Sequence, residues 1–312
     1  MVTMQVNGVE KVVIFGGTGS GTGNAADLHV YDSVTNAWSQ PQMSGDYQSG
    51  VMPDTTADNG AQLCTNLASL RGALYVLDEA GGFSKLDAST WSWTTLDTSA
   101  GVTGSPPGTL RSAGMAGIDS LNIVAVFGGK ILGYHSTNVV QTLSVFNASS
   151  KVWTLMNADV GVTGSPPSAR QVSAMTAKGN RIFIFGGRNG QSNIDADTKL
   201  HMFDFDSKHW VVMDDGTATA PGARADFGMV TLGEKLFMYG GTVMATPWSG
   251  AATAEFWEFD LEEKRWIMLP LGPTARTNHK MVEYNRKLII FGGQSIRLPV
   301  YVQSDASHRI VS

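Results

Sequence analysis

The sequence predicts an all-β protein of six units, each a four-stranded antiparallel meander, forming one domain over residues 1–312. Three recurring elements predict it. The first is a pair of apolar residues three positions apart, then Asp or Asn, then Trp six positions later. Its copies end in Asp32/Trp38, Asp87/Trp93, Asn147/Trp153, Asp204/Trp210 and Asp260/Trp266. The second is an apolar run closed by two glycines: VVIFGG at 12–17, VAVFGG at 124–129, IFIFGG at 182–187, LFMYGG at 236–241 and LIIFGG at 288–293. The third is an arginine behind a small, Pro-rich loop (Arg111, Arg170, Arg224 and Arg276), 16 or 17 positions before the first glycine.

Each element has a physical reading. Four or five β-branched or aromatic residues form a buried strand, and the two glycines allow a turn that a side chain would block. The acid before a turn is expected to accept backbone N–H bonds, and the tryptophans to supply buried area between units. The copies recur every 55 to 60 residues, so one closed array explains the length better than separate domains. A lone four-stranded sheet leaves a face uncovered; six arranged radially cover each other's faces, which gives a six-bladed β-propeller. The blades fall at approximately 1–45, 46–98, 99–158, 159–214, 215–270 and 271–312. The second is degenerate, with Asp78 and Glu79 in the diglycine slot and Gln62 in the arginine slot, and the sixth carries Val311 in the tryptophan slot.

The diglycine, the Tyr/Phe-Asp pair and the spaced Trp together resemble the kelch repeat, and the likeness runs along essentially the whole chain, including the galactose-oxidase-central-domain-like propellers of that family. The resemblance implies blades around a central channel. It also implies that the Arg-bearing loops and the post-diglycine loops open on one face, commonly the ligand face. Each blade is built from its own contiguous strands, so the ring is expected to close by side packing unless the chain is part of something longer.

Composition narrows the function. A net charge of −5 argues against a nucleic-acid or anionic-membrane surface. The single cysteine, Cys64, excludes an internal disulfide and a cysteine-built metal site. No run approaches the ~20 apolar residues of a membrane span, and the start lacks a signal peptide's regions, so a cytoplasmic location is expected, or an extracellular one if the chain is a trimmed fragment. No cofactor is expected. The strand followed by Gly21, Gly23 and Ala26 looks like a dinucleotide fingerprint. That motif needs a helix next, and the repeat's third strand follows instead. The sequon Asn147-Ala148-Ser149 has its Asn in the repeat's acid slot and reads as coincidence.

The candidate binding residues are Arg111, Arg170, Arg224 and Arg276, read as equivalent slots forming a partial ring at the channel mouth, with Gln62 in the same slot of the second blade. Guanidinium groups there would suit carboxylates or acidic peptide side chains. Tyr134, Arg188 and Trp248, on the long loops of blades three to five, would form a rim. The function expected is a non-catalytic interaction module that binds a protein or peptide, an acidic segment, on this face. The alternative is an epimerase- or lyase-like enzyme acting on a small carboxylate or sugar in the channel, with His135, Asp195 and Glu255 as scattered candidates for its base. His279, three after Arg276, and the near-duplicate GVTGSPP loops at 101–107 and 161–167 read as structural.

Overall fold

The computed structural model describes residues 1–16, 27–45, 66–78, 81–131, 138–190, 194, 198–214, 220–246, 249–294, 302–304 and 310–311. Among them the chain forms six sheets of four or five strands, with one two-stranded ribbon and one small three-stranded sheet. Each sheet keeps sequence order from an inner to an outer strand, as in Ala174–Lys178, Arg181–Phe185, His201–Asp204 and His209–Val212. The inner strands begin at Val2, Asn66, Gly114, Ala174, Gly228 and Thr277. Each lies beside the next, and that of the sixth sheet returns to that of the first. The result is an all-β propeller around a channel. The sheets at the two ends, Val2–Ser39 and Thr277–Val311, each consist of their own strands, and among the described residues none is exchanged between them.

Turn chemistry at the base of the sheets follows the repeat. Asp32 accepts from Val34 N–H at 2.8 Å, Asp87 from Ser89 at 2.9 Å and Asp260 from Glu263 at 2.9 Å. Asn147 does the same with Ser149 and Ser150, both at 2.9 Å, so the sequon asparagine is a turn cap. Backbone N–H groups hold the Asp32, Asp204 and Asp260 carboxyls below the usual range.

The tryptophans lock neighbouring sheets. Trp93 packs on Phe15 of the preceding sheet (5.2 Å between ring centroids), Trp153 on Phe83 (4.9 Å), Trp210 on Phe127 (5.6 Å) and Trp266 on Phe185 (5.3 Å). All four are buried. Trp38 is the correction: it is 41% exposed. It still closes the ring, packing on Phe291 of the sixth sheet at 5.9 Å. Tyr284 reinforces this seam with hydrogen bonds to Ser33 Oγ (2.7 Å) and the Glu10 carbonyl (3.0 Å).

The connectors are docked strands. Ser44–Gly45 and Thr103–Gly104 run parallel to the outer strands of the second and third sheets, and Thr163 bridges His209 in the fourth. Ser44–Gly45, placed by sequence with the first unit, therefore pairs with the second. A methyl group on Gly45, Gly104 or Gly164 would meet the carbonyl of Trp93, Trp153 or Trp210 at 2.5, 2.1 or 2.4 Å. The repeated Thr-Gly of the GVTGSPP loops is thus a fit to the tryptophan strand.

Replacing Trp153 or Trp210 by Ala should cost about 3–5 kcal/mol, read as loss of denaturation midpoint. Trp38→Ala should cost about 1–2 kcal/mol, because nearly half of its surface stays in water.

Candidate functional site

The channel mouth is built from the segment between each connector and each inner strand. Arg170, Arg224 and Arg276 each lie four residues before the inner-strand residue that pairs with Phe185, Tyr239 or Phe291. They are buried, with 0%, 1% and 1% of their surface exposed. Arg170 donates to the Gly186 carbonyl (Nη1, 2.9 Å), the Ser168 carbonyl (Nε, 2.9 Å) and Ser168 Oγ (Nη2, 2.8 Å). Arg224 donates to the Gly240 carbonyl at 3.3 Å, the Gly222 carbonyl at 3.1 Å and Glu255 at 2.5 Å. Arg276 donates to the Gly292 carbonyl at 3.1 Å. Rather than an open guanidinium ring, the structure has three clamps, because a cation taken out of water must bond the nearest carbonyls.

The second glycine completes each clamp. Gly129, Gly187 and Gly241 donate to the backbone carbonyls of Arg170, Arg224 and Arg276 in the following sheet, at 2.8, 2.8 and 2.9 Å. The preceding glycines have φ of 67°, 61° and 66°. A methyl group there would lie 2.5, 2.4 and 2.7 Å from those same carbonyls, so only glycine fits.

Arg111 does not occupy this slot. Leu110, 1% exposed, does: it is four residues before Gly114, which pairs with Phe127. The hairpin of the third sheet turns through 119–122, two residues more than the Gly179-Asn180 turn of the fourth, so the slot lies 18 positions before Gly128 and the count of 17 that gives Arg111 falls one short. Arg111 instead faces Lys130 across a two-residue ribbon, as Gln171 faces Arg188 in the next sheet. Gln62, Tyr134 and Trp248 lie outside the described residues, as do His135, Asp195, Cys64 and the glycines at 21 and 23.

Two residues after the arginine slot, Ser112, Val172, Asp226 and Asn278 share a left-handed backbone, with φ of 58°, 48°, 59° and 61°. Their N–H groups link sheet to sheet: Val172 to the Ser112 carbonyl (2.9 Å), Asp226 to Val172 (3.4 Å) and Asn278 to Asp226 (2.8 Å). This tier girdles a cavity of about 370 Å³, lined among others by Asn66, Ser173, Asp226, Asn278 and Lys280. That is within the size range of small-molecule sites. Asp226 is held by Arg188 across the sheet boundary (2.8 Å) and by Thr242 (3.4 Å). Asp226 and Lys280 were not legible from sequence, since neither belongs to a repeated motif.

The candidate base Glu255 and the structural histidine His279 are both tied down. Burial opposes ionisation of Glu255, but hydrogen bonds from Arg224 and from Trp257 Nε1 (2.9 Å) outweigh it and hold the carboxyl below the usual range. His279 is buried, edge-on to Tyr239 at 5.3 Å, and its Nε2 accepts from Gly228 N–H at 3.2 Å. Desolvation, with Arg276 and Lys280 nearby, lowers its pKa to about 3. Among the described residues no group of three or more His, Cys, Asp and Glu is arranged to hold a metal. Nor is any helix long and apolar enough to cross a membrane.

Radial four-stranded sheets, diglycine clamps and buried inter-sheet tryptophans define a kelch-type β-propeller. The chain belongs to the kelch-repeat family: residues 77–241 match the KLHDC2/KLHL20/DRC7 Kelch-repeats domain. It is similar to Acyl-CoA-binding domain-containing protein 4 of Arabidopsis thaliana, 25% identical over 84% of this chain and 37% of that protein. It is 27% identical to Kelch domain-containing protein 3 of Rattus norvegicus over 88% of this chain and 69% of that protein. Identity to the Rab9 effector protein with kelch motifs of Homo sapiens is 35%, over 32% of this chain and 26% of that protein. The chain spans only 9% to 39% of the length of the first four curated relatives it matches.

Arg224→Met should destabilise by about 3 kcal/mol, since Glu255 and the Gly240 carbonyl lose their donor; Arg111→Met should stay within about 1 kcal/mol, both read by chemical denaturation. His279 makes stability fall on acidification. Its folded pKa is depressed from 6.5 to about 3, so the unfolded chain takes up the proton first as pH falls through that window. The slope is about 1.4 kcal/mol per pH unit at most. In His279→Gln the decline of melting temperature between pH 7 and 4 should be shallower than in wild type.

Proposed function

We propose that this chain is a protein-interaction module that takes an acidic partner segment on the face carrying the diglycine turns. The reading is supported first by kinship. A relative named as a Rab9 effector carries kelch motifs, and effectors act through protein contacts. The observation that carries the finer reading is the basic sector beside the channel mouth. Arg111 and Lys130 oppose each other on one ribbon, and Arg188 lies on the neighbouring one, all partly exposed. Arg188 is oriented by Asp226, which fixes its guanidinium for bidentate contact with a carboxylate. Arg170, Arg224 and Arg276 support this surface from beneath; they hold the ribbons and do not reach the partner. Gln62, Tyr134 and Trp248 join the proposed rim from sequence alone.

The probe is a labelled oligoglutamate peptide, followed by fluorescence anisotropy at low and moderate salt. Wild type should bind it with an affinity that falls as salt rises. Lys130→Glu combined with Arg188→Gln should weaken binding about tenfold or more while leaving the melting temperature nearly unchanged. Equal affinity in that variant would sink the reading.

A further inference from the structure

The loops leading to the third and fourth inner strands share a run of seven residues, Gly101 to Pro107 and Gly161 to Pro167. Packing accounts for much of it. Thr103-Gly104 and Thr163-Gly164 fit against the tryptophan strands, where a methyl group on either glycine would strike a carbonyl. Val102 and Pro167 are buried. Packing does not account for the serine. Ser105 and Ser165 are exposed, and among the described residues neither makes a hydrogen bond through its hydroxyl or its backbone. Ser168, three positions after Ser165, shows the contrast. Its Oγ accepts from Arg170 Nη2 at 2.8 Å and its carbonyl from Nε at 2.9 Å.

Each free serine stands directly before a proline, and a second proline follows. The residue before a proline is driven out of the helical region into extended backbone. The prolines hold the positions after it in the same form. The segment is anchored on both sides. Thr103 and Thr163 pair with the outer strands, and Leu110 and Arg170, seven positions on, are buried. Between the anchors lies an accessible hydroxyl on an extended stretch of chain. A protein kinase needs such a hydroxyl, one that can line up with the phosphorus of its nucleotide.

We propose that Ser105 and Ser165 are acceptor sites for a proline-directed protein kinase. The serine Oγ attacks the γ-phosphorus of ATP. The Oγ–P bond forms, the bond to the departing ADP oxygen breaks, and the hydroxyl proton passes to the kinase's catalytic aspartate. Each phosphate adds about −1.5 to −2 charges at pH 7, so two take the net charge from −5 to roughly −8 or −9. Both sites are in water, so the fold does not oppose the new charge. Anchored on both sides and stiffened by proline, each phosphoserine is a preordered acidic mark of the kind that arginine clusters read. Thr246 is the third hydroxyl residue before a proline, and its setting differs. It is paired with Ser249 at the tip of a hairpin, so drawing it out as an extended segment breaks that pairing.

The test incubates the full folded chain with a proline-directed kinase and magnesium ATP, beside a free peptide GVTGSPPSA, and maps phosphate by tandem mass spectrometry. Both serines should be modified in the folded chain at rates comparable with the peptide, while Ser168 and Thr246 stay unmodified. Ser105→Ala and Ser165→Ala should each lose one phosphate with the melting temperature nearly unchanged. Modification of the peptide but not of the folded chain overturns the proposal, because packing then shields the segment. So does modification that begins only as the chain melts, a peptide that the kinase leaves untouched, or a double alanine variant that takes up as much phosphate as wild type. The readout is phosphate on serine, so its failure is distinct from failure of the acidic-partner reading.

Discussion

The structure depends on a backbone contact between sheets that only glycine permits. A radial sheet buries both faces, but its inner corner must meet the next sheet with polar backbone on both sides. The diglycine turn brings an N–H to the arginine carbonyl of the next sheet, and the arginine then crosses back to the next diglycine carbonyl. From Gly129 to Gly292 the chain of bonds is continuous. Burying the Arg170 and Arg224 guanidinium groups is tolerable because protein acceptors replace the water they lose, whereas Arg276 keeps one bond, to the Gly292 carbonyl, and its Nε and Nη2 find no acceptor among the described residues. Arg170 finds three acceptors and Arg224 gains a carboxylate.

That belt explains the residues above it. Fixing the arginine carbonyl against the preceding glycine forces the chain to turn within two residues, and the left-handed tier at Ser112, Val172, Asp226 and Asn278 is where it turns. A β-branched valine is unfavourable there, so Val172 marks how strongly the surroundings impose the conformation. The turn carries the short ribbons to the mouth. The positions of Lys130 and Arg188 are therefore consequences of packing, and their chemistry is free to vary.

The strands were legible because their signal repeats: diglycine, Asp and Trp recur with the same spacing and name the sheets directly. The arginine slot was legible in three sheets and misread in the third. Counting back from Gly128 assumes equal hairpins, and the turn at 119–122 is longer. The loops themselves held the better ruler, since GVTGSPPGTL and GVTGSPPSAR align Leu110 with Arg170. Trp38 was read as core because its spacing is regular. Its surroundings are not: it packs across the seam, where the sheets meet side by side. The site was less legible. Sequence can list arginines but cannot tell which one folding has spent on carbonyls, and Asp226 and Lys280 carry no motif.

The departures from the repeat report how closely neighbouring sheets approach. The slot held by Lys280 in the sixth sheet belongs to Gly114 and Gly228 in the third and fifth. There a methyl group would lie 2.8 Å from Met175 or 2.6 Å from Met281, so the following sheet excludes a side chain. A lysine with an exposed side chain at this slot is compatible only with a boundary where the following sheet stands off. Asn66 shows the intermediate case, buried with its amide donating to the Leu77 and Leu110 carbonyls. One position thus reports three grades of closeness between sheets. The loosest is the boundary of the sixth sheet with the first, where a methyl group on Gly292 would meet no described atom within 4 Å.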